Sequence, residues 1–334
     1  MAHKKRYSKG NIRYRMVWAV IAIMPLIFAP ITRPLIADCY LQKGVDYGNA
    51  GSLKDAIIFL NRSVSYDPHN MRAHFLKGRI IHEANNYQAA ISSYRKASKL
   101  FPYYAFIYNN IGFAYFQMGD YHNSEQAYLQ AIAIDPRHKN AHYNLGIVYI
   151  KDEKSDLAKK EFENVVAIDP EFAAAYGRLT QIAPLDKKPY LELGRIYHYQ
   201  GMLDQAIENF NQVVKIDPDD KRAYDWLGQC YLERGDLEEA KKIFLNCLET
   251  DPLTKDEPLF WVHLQLGKLY YTEGSLDEAI TELEMAIEPP SEYYEAYKFL
   301  AQCYEEKGLL EKAMFARERY DKKTDSTFSS SRAN

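Results

Sequence analysis

Residues 105–136 read AFIYNNIGFAYFQMGDYHNSEQAYLQAIAIDP, and residues 139–170 repeat their arrangement as KNAHYNLGIVYIKDEKSDLAKKEFENVVAIDP. Between the two stretches Gly112 corresponds to Gly146 and Pro136 to Pro170, in each case 34 residues later. The same period extends toward the amino terminus, through glycines at positions 44 and 78 and prolines at positions 68 and 102. Two residue types that share one period of this length predict a chain of repeated helical units.

The period also continues toward the carboxyl terminus, interrupted by two insertions. Residues 173–186 (AAAYGRLTQIAPLD) lengthen one interval, and we predict an extra half-unit there that forms a single spacer helix. Residues 255–259 (KDEPL) lengthen a later turn. The pattern predicts about eight units in two blocks of four, over residues 37–172 and 187–327, followed by a disordered tail at residues 328–334.

The residue types at fixed places of each unit point to one family. In the first stretch quoted they are Gly112, Tyr115, Tyr128, Ala131 and Pro136, and in the second Gly146, Tyr149, Ala158, Phe162 and Pro170. This pattern resembles the tetratricopeptide repeat (TPR) family. The resemblance implies an all-α fold, a right-handed superhelical solenoid of helix–turn–helix units whose concave face is lined by the first helix of each unit.

Packing explains these residue types. A small residue in the first helix and an alanine in the second are expected where two antiparallel helices approach closely, because a larger side chain would separate them. Aromatic rings then fill the space between units. The turn between the two helices of a unit calls for a positive φ, and six glycines occupy it: Gly51, Gly119, Gly201, Gly235, Gly274 and Gly308.

The composition narrows the class of function. Hydrophobic residues at 47% and charged residues at 26% are typical of a folded soluble protein. The formal net charge of -3 offers no global positive field, so nucleic acid is not expected as a partner. His82 and Glu83 begin HEANN without the second histidine of a zinc helix, and no phosphate loop or nucleophile motif occurs. We therefore predict a protein that is not an enzyme and has no cofactor or metal site.

Residues 1–36 differ from the repeats. Residues 1–15 contain six lysines or arginines and no acid, and residues 16–31 (MVWAVIAIMPLIFAPI) contain no charge. Extended as far as Ala37, this segment reaches the roughly 20 residues that a helix needs to span a membrane. We favour an uncleaved apolar anchor helix, because bulky Leu35 makes Ala37 a poor cleavage site. A cleaved signal and a buried helix remain alternatives.

The basic flank predicts an orientation. Positively charged flanks stay on the cytoplasmic side of a membrane, so the repeats are expected on the other side, in the periplasm if the cell is bacterial. The predicted contact with the membrane is made by residues 16–37. The protein is therefore expected to be membrane-anchored or exported.

The resemblance places the second, fifth, sixth and ninth residues of each unit in the concave groove. These places hold seven cations but only three acids. The cations are Arg72, Arg79, Lys188, Arg195, Arg222, Lys268 and Lys298. This excess predicts a groove that binds an extended or acidic protein segment. An ordinary solvated face is the alternative.

Amides and rings complete the predicted partner-binding set: Phe75, Asn109, Asn110, Phe113, Asn140, Tyr143 and Asn144. Asn110 and Asn144 take the same place in consecutive units, which resembles the asparagine ladder by which some TPR superhelices hold a peptide backbone. An amide donates and accepts at once, as recognition of a main chain requires.

Together these patterns predict a TPR scaffold that recruits or organises the subunits of an extracytoplasmic or membrane-associated complex. One alternative is a structural subunit that bridges or polymerises an enzyme complex, with self-association through its outer face and end repeats. Another is an envelope secretion or import receptor that binds extended segments transiently. No three consecutive units reproduce the family's carboxylate clamp, which disfavours a chaperone co-factor.

Overall fold

The computed structural model describes residues 32–250, 259–288 and 293–330, with side chains described as far as Lys322. All regular secondary structure in these ranges is helical, which confirms the all-α prediction for this part of the chain. The chain divides into two compact units, which we call the N-terminal unit (Met1–Pro170) and the C-terminal unit (Glu171–Asn334). The exact number of repeats and their block boundaries remain predictions.

The N-terminal unit is made of consecutive helices that pack against their neighbours in sequence, as the short turns between them require. The closest packing pairs α3 with α4, α5 with α6 and α7 with α8. Its helices are α1 (32–49), α2 (Leu53–Tyr66), α3 (Met71–Glu83), α4 (Tyr87–Leu100), α5 (Ala105–Gln117), α6 (Tyr121–Ile134), α7 (Lys139–Lys151) and α8 (Ser155–Ile168).

The C-terminal unit begins with the short helix α9, which lies where the sequence predicts a spacer helix. It packs on α10, and the helices after it form the pairs α10/α11, α12/α13, α14/α15 and α16/α17. The helices are α9 (Ala173–Ile182), α10 (Lys187–Tyr199), α11 (Leu203–Ile216), α12 (Lys221–Arg234), α13 (Leu237–Glu249), α14 (Phe260–Glu273), α15 (Leu276–Ala286), α16 (Glu295–Glu306) and α17 (Leu310–Ser330).

In several helix pairs a glycine of the first helix faces a buried ring of the second helix at close range. In the N-terminal unit a Cβ on Gly112 would lie 2.8 Å from the ring of Tyr128, whose side chain is 1% exposed. In the C-terminal unit a Cβ on Gly228 would lie 2.1 Å from the fully buried ring of Phe244. Both distances are far shorter than a carbon–carbon contact allows, so the predicted close approach of the two helices is confirmed at these positions.

Tyrosines of the first helices reach back to the preceding helix pair. The hydroxyl of Tyr149 on α7 donates to Glu125 on α6, at 3.3 Å. The hydroxyl of Tyr115 on α5 accepts from Arg95 on α4, at 2.6 Å. These rings therefore lie between successive pairs, as the repeat pattern predicts, and their polar tips find partners.

The turns inside the repeats have the predicted backbone. All six glycines expected there have φ between 73° and 88°. At the same place in two other repeats stand Asn85 and Glu153, each with a φ of 59°. The residue with a left-handed backbone therefore falls at the same place of these repeats, and in two of the turns a residue other than glycine adopts that conformation.

The amino-terminal prediction needs one correction. Ala37 is fully buried inside α1, and its carbonyl accepts a hydrogen bond from Ser63 Oγ on α2 at 2.8 Å. A residue packed in this way belongs to the repeats, so a membrane segment cannot continue as far as Ala37. The predicted anchor helix over residues 16–31 lies outside the described residues. Within the described ranges, no helix combines the length and apolar character that a membrane crossing requires.

The carboxyl-terminal prediction changes as well. Helix α17 continues to Ser330, so residues 328–330 of the predicted disordered tail are helical. Residues 331–334 lie outside the described residues, as do residues 255–258 of the second insertion. The first turns of α17 carry exposed Leu310 and Met314.

Candidate partner-binding faces

The first helices of the N-terminal unit, α3, α5 and α7, lie side by side. Helix α5 presents one line of residues along its exposed side, which we call the α5 stripe: Phe106, Asn109, Asn110 and Phe113. The spacing i, i+3, i+4 and i+7 puts these four residues on one face of the helix. Phe106 is 47% exposed and Phe113 37% exposed, although the opposite face of the same helix is buried in the core.

Histidines flank the two aromatic ends of the α5 stripe. The ring of Phe113 stacks on His82 of α3, with centroids 5.1 Å apart and an interplanar angle of 10°. Phe106 meets the ring of His138 edge-on at 4.6 Å. Burial lowers the pKa of both histidines, so each ring is neutral at neutral pH and extends the apolar surface of its phenylalanine.

The amides between the two rings are held in two different ways. Asn144 Nδ2 on α7 donates to Asn109 Oδ1 on α5 at 3.2 Å, which joins the two helices. Asn110 Nδ2 instead donates to the Phe106 carbonyl of its own helix at 2.7 Å. Asn140 is exposed at the start of α7. The exposed part of this face therefore combines two aromatic rings with an interhelical amide pair.

Two rings of the predicted site are held between helices. Phe75 lies 5.8 Å from Tyr94 and 5.7 Å from Tyr104, measured between ring centroids. Tyr143 meets Phe162 at 5.5 Å. Both rings are half-buried, so they support the face from below and offer a partner less surface than the α5 stripe does.

In the C-terminal unit the first helices meet around Trp226 of α12. This indole stacks on Phe210 at 5.8 Å, and His198 of α10 meets it edge-on at 5.1 Å. The Arg195 guanidinium lies 5.9 Å from the Trp226 ring, within the range of a cation–π contact. Tyr199 stands 6.0 Å from the same ring and is 71% exposed.

Four of the seven predicted cations form ion pairs with carboxylates of the same compact unit, N-terminal or C-terminal. Ion pairs join Arg195 to Glu192 at 2.8 Å, Arg222 to Asp220 at 2.8 Å, Lys268 to Glu295 at 2.8 Å and Arg79 to Glu83 at 3.8 Å. The remaining three, Arg72, Lys188 and Lys298, have exposed side chains. The excess of positive charge counted along the sequence is therefore largely neutralised in place, which weakens the argument for an acidic partner.

Sequence reasoning missed four aromatic residues of these faces: His82, Phe106, Tyr199 and Trp226. Phe106 and Trp226 occupy the second and sixth places of their units, both of which the resemblance assigns to the groove. The signal was therefore present in the sequence, but the prediction included rings at other groove places, such as Phe113, and left these two out.

His138 and His142 lie at a repeat junction, four residues apart, a spacing that would place two metal ligands on one helical face. Among the described residues, no group of three His, Cys, Asp or Glu side chains is arranged to hold a metal ion. His138 accepts from the Ala141 backbone N–H through Nδ1 at 3.2 Å and so caps α7, and His142 Nδ1 pairs with Glu161 at 2.6 Å. Both side chains thus have structural roles at the start of α7.

Antiparallel helix pairs with exposed aromatic first-helix faces define a helical-repeat protein of the kind that binds other proteins. Three family models then specify which repeat it is. A model described as TPR repeat matches residues 78–119, 114–152 and 194–235. Two models described as tetratricopeptide repeat match residues 140–172 and 221–252, and residues 264–323. The chain is therefore built of tetratricopeptide repeats, which confirms the resemblance seen in its residue pattern.

Solved structures with a similar fold include other TPR proteins. A crystal structure of MamA is 23% identical, with a TM-score of 0.42, covering 55% of this chain and 93% of that one. A tetratricopeptide repeat protein from Parabacteroides merdae is 18% identical, with a TM-score of 0.42, covering 84% and 99%. YrrB, a TPR protein with an unusual peptide-binding site, is 17% identical, with a TM-score of 0.38, covering 55% and 88%. No curated protein matches the sequence significantly.

Proposed function

We propose that this TPR protein is a non-enzymatic scaffold that binds an extended segment of a partner protein along the α5 stripe, within a membrane-associated or extracytoplasmic assembly. Tetratricopeptide repeats generally mediate protein–protein interactions. The observation that carries the proposal is the pair of exposed rings, Phe106 and Phe113, on one face of a helix whose other face is buried.

The geometry of the stripe suits an extended peptide. Seven residues separate Phe106 from Phe113, which places the two rings roughly 10 Å apart along the helix axis. An extended peptide advances about 6.6 Å for every second residue, so side chains two to four residues apart can reach the two rings. Between the rings, the amides of Asn109 and Asn144 offer unused donor and acceptor capacity to a peptide main chain.

The test compares two surface variants of the full-length chain. An array of 12-residue peptides is probed with the wild-type protein, and the affinity of the best binders is then measured by calorimetry. We expect these peptides to carry spaced apolar residues and to lose at least tenfold in affinity for a Phe106→Ser/Phe113→Ser variant. Tyr103→Ser is the matched control, since Tyr103 is 79% exposed outside the stripe. Equal binding by both variants would refute the proposal.

The proposed cellular setting depends on the amino terminus. Residues 1–15 are basic and residues 16–31 are uncharged, which supports a membrane tether with the repeats on the extracytoplasmic side. We expect the full chain to stay in the membrane fraction after washing with alkaline carbonate. A variant lacking residues 1–31 should appear in the supernatant, with the circular dichroism of a folded helical protein. Recovery of the full chain in the supernatant would remove the tether from the proposal.

A further inference from the structure

The first helix pair of the N-terminal unit, α1 and α2, carries a row of four rings, which we call the ring row. The rings follow the order Tyr47, Phe59, Tyr40 and Tyr66, and successive centroids lie 5.0, 6.2 and 5.6 Å apart. Interplanar angles of 12°, 24° and 20° make neighbouring rings nearly parallel. Tyr47 is 40% exposed and Tyr66 is 38% exposed, so both ends of the row reach the surface.

Two cations lie beside the ring row. The Arg62 guanidinium is 5.7 Å from the ring centroids of Tyr40 and Phe59, and the Lys43 ammonium is 5.8 Å from that of Phe59. Both cations are exposed, and neither forms an ion pair with a carboxylate of the described residues. Their positive charge is therefore not neutralised in place, in contrast to most of the cations predicted for the groove.

The ring row lies on the side of this helix pair that no other described helix covers. Leu41 of α1 and Leu60 of α2 are buried in one core cluster with residues of α3, on the opposite side. In later repeats the tyrosine at the place of Tyr47, such as Tyr149, reaches back to the preceding helix pair. The first repeat has no preceding pair among the described residues, so the ring row forms the outer end of the N-terminal unit.

Helix α1 begins earlier than its repeat requires. Helix α3 begins at Met71, so the period of 34 places the start of α1 at Ala37, whereas α1 begins at residue 32. The additional turn exposes two apolar side chains, with Leu35 66% and Ile36 38% exposed. The segment that joins two repeats elsewhere is therefore helical here and carries apolar surface.

This additional turn leads directly into the ring row. Ile36, Tyr40, Lys43 and Tyr47 are spaced i, i+4, i+7 and i+11, which places them on one face of α1. The uncharged residues 16–31 end immediately before the turn. An apolar segment, exposed aliphatic side chains, tyrosines and unpaired cations thus follow one another along the chain. Tyrosine, lysine and arginine are the side chains typical of the boundary between a membrane and water.

We propose that the outer end of the N-terminal unit lies on a membrane surface, with the ring row at the level of the lipid headgroups and Lys43 and Arg62 bound to lipid phosphates. Tyrosine suits this level because its ring is apolar and its hydroxyl is polar. Anionic lipids attract exposed lysine and arginine side chains. The contact rests on the proposed membrane tether, and it orients α1 along the membrane, so that the helix does not project from it.

The test places a fluorophore at the far end of α1 in the full-length chain. Cys39→Ser/Ala50→Cys protein is labelled with a nitrobenzoxadiazole maleimide, since the three other cysteines are buried. The protein is reconstituted into phosphatidylglycerol liposomes with or without a lipid that carries a nitroxide in its headgroup. Residue 50 lies roughly 27 Å along the helix axis from residue 32, so a projecting helix would keep the label away from the nitroxide. We expect the nitroxide lipid to reduce the emission at least twofold.

Two charge reversals show which face of the molecule is responsible. Lys43→Glu/Arg62→Glu should remove most of the quenching, because the phosphates then repel this end of the unit. Lys96→Glu/Lys99→Glu, at two exposed cations of α4, is the matched control and should leave the quenching unchanged. Circular dichroism of each variant checks that the helices are intact.

Flotation of the liposomes reports the tether separately. A chain that floats with the liposomes but shows no quenching at residue 50 would overturn the membrane contact and leave the tether in place. A chain absent from the floating fraction would overturn both. Quenching that survives the reversal of Lys43 and Arg62 would also overturn the proposal. Cross-linked dimers that replace the quenching, and that the same reversal abolishes, would overturn it in favour of a second copy of the chain.

Discussion

At the residue scale, Gly228 of α12 leaves less room for a Cβ than the other described glycines, because the ring of Phe244 lies against it. A Cβ at this position would lie 2.1 Å from Phe244 Cε1, and the ring is fully buried. We expect Gly228→Ala to lower the free energy of unfolding by about 1–3 kcal/mol, because the helices or the ring must shift to admit one methyl group. Urea denaturation followed by circular dichroism measures this change.

Gly177 of α9 is the matched control for that substitution. A Cβ there meets no atom within 4 Å. Gly177→Ala is expected to raise the free energy of unfolding by about 0.5–1 kcal/mol, since alanine loses less backbone entropy in a helix. A destabilisation of similar size at both glycines would show that close helix approach is not what selects glycine at position 228.

His142 makes stability depend on pH in a predictable direction. The hydrogen bond that His142 Nδ1 donates to the Glu161 carboxylate raises the pKa of this histidine, against the lowering effect of burial. A raised pKa means that the pair stabilises the fold fully below pH 6.5, and that this contribution falls as the pH rises through the folded value. Glu161→Gln should therefore cost about 1.5–3 kcal/mol at pH 5.5 and less at pH 8.5.

The control substitution for this pH dependence is at Glu163, on the same helix as Glu161. Glu163 of α8 is 54% exposed and lies 3.9 Å from Lys159, a surface pair. Glu163→Gln should change the free energy of unfolding by less than about 1 kcal/mol at either pH. Urea denaturation measures the free energy of unfolding of both variants and the wild type. Histidines with lowered pKa values affect the pH dependence of all three proteins equally, so their contribution cancels in the differences. A cost of Glu161→Gln that grows with pH would contradict the assignment.

At the scale of the element, the start of α12 is tied to the start of α10 through Asp220. This aspartate caps α12, its side chain is 2% exposed, and it lies 2.7 Å from Lys187 Nζ and 2.8 Å from Arg222 Nη2. Burial raises the pKa of Asp220, but hydrogen bonds from Arg222 and Lys187 outweigh it and lower the value to about 2. The carboxylate is therefore charged and stabilising over most of the pH range.

Replacing this carboxylate should weaken the junction of the two helices. We expect Asp220→Asn to reduce the free energy of unfolding by about 1–3 kcal/mol at pH 7, since the amide retains the cap but not the charge. The depressed pKa means that the advantage of the wild type is present above about pH 4 and is lost as the pH falls toward 2. Chemical denaturation at pH 7, 4 and 2.5 tests this, with Asp219→Asn, next to it and exposed, as the control.

At the scale of the whole molecule, each helix depends mainly on the helices next to it in sequence. Stability in such a chain is local, so unfolding can begin at an end. We expect backbone amides of α17 to exchange with deuterium at least tenfold faster than those of α16, because α17 is the last of the described helices and packs chiefly against α16. Hydrogen exchange with mass spectrometry measures both helices in one experiment, and equal protection would contradict this account.

Much of the fold could be predicted from the 34-residue period of the sequence. Particular residues show what the period could not predict. The glycines of the turns predicted six positive φ angles, whereas Asn85 and Glu153 adopt the same backbone without a glycine to mark it. Arg222 was expected to be available to a partner, yet it is paired with Asp220, which lies outside the places assigned to the groove. Phe106 was missed because its exposure depends on how α5 packs, although it stands at a groove place of its repeat.

Helix order, turn position and close-packed glycines were readable from the sequence because each depends on residues within one 34-residue repeat or its neighbour. The availability of each side chain to a partner could be settled only by the three-dimensional structure. Ion pairs such as Lys268 with Glu295, and stacks such as His82 with Phe113, join residues of different helices. Their formation depends on distances of a few ångströms that spacing along the chain does not specify, because electrostatic and ring contacts act through space.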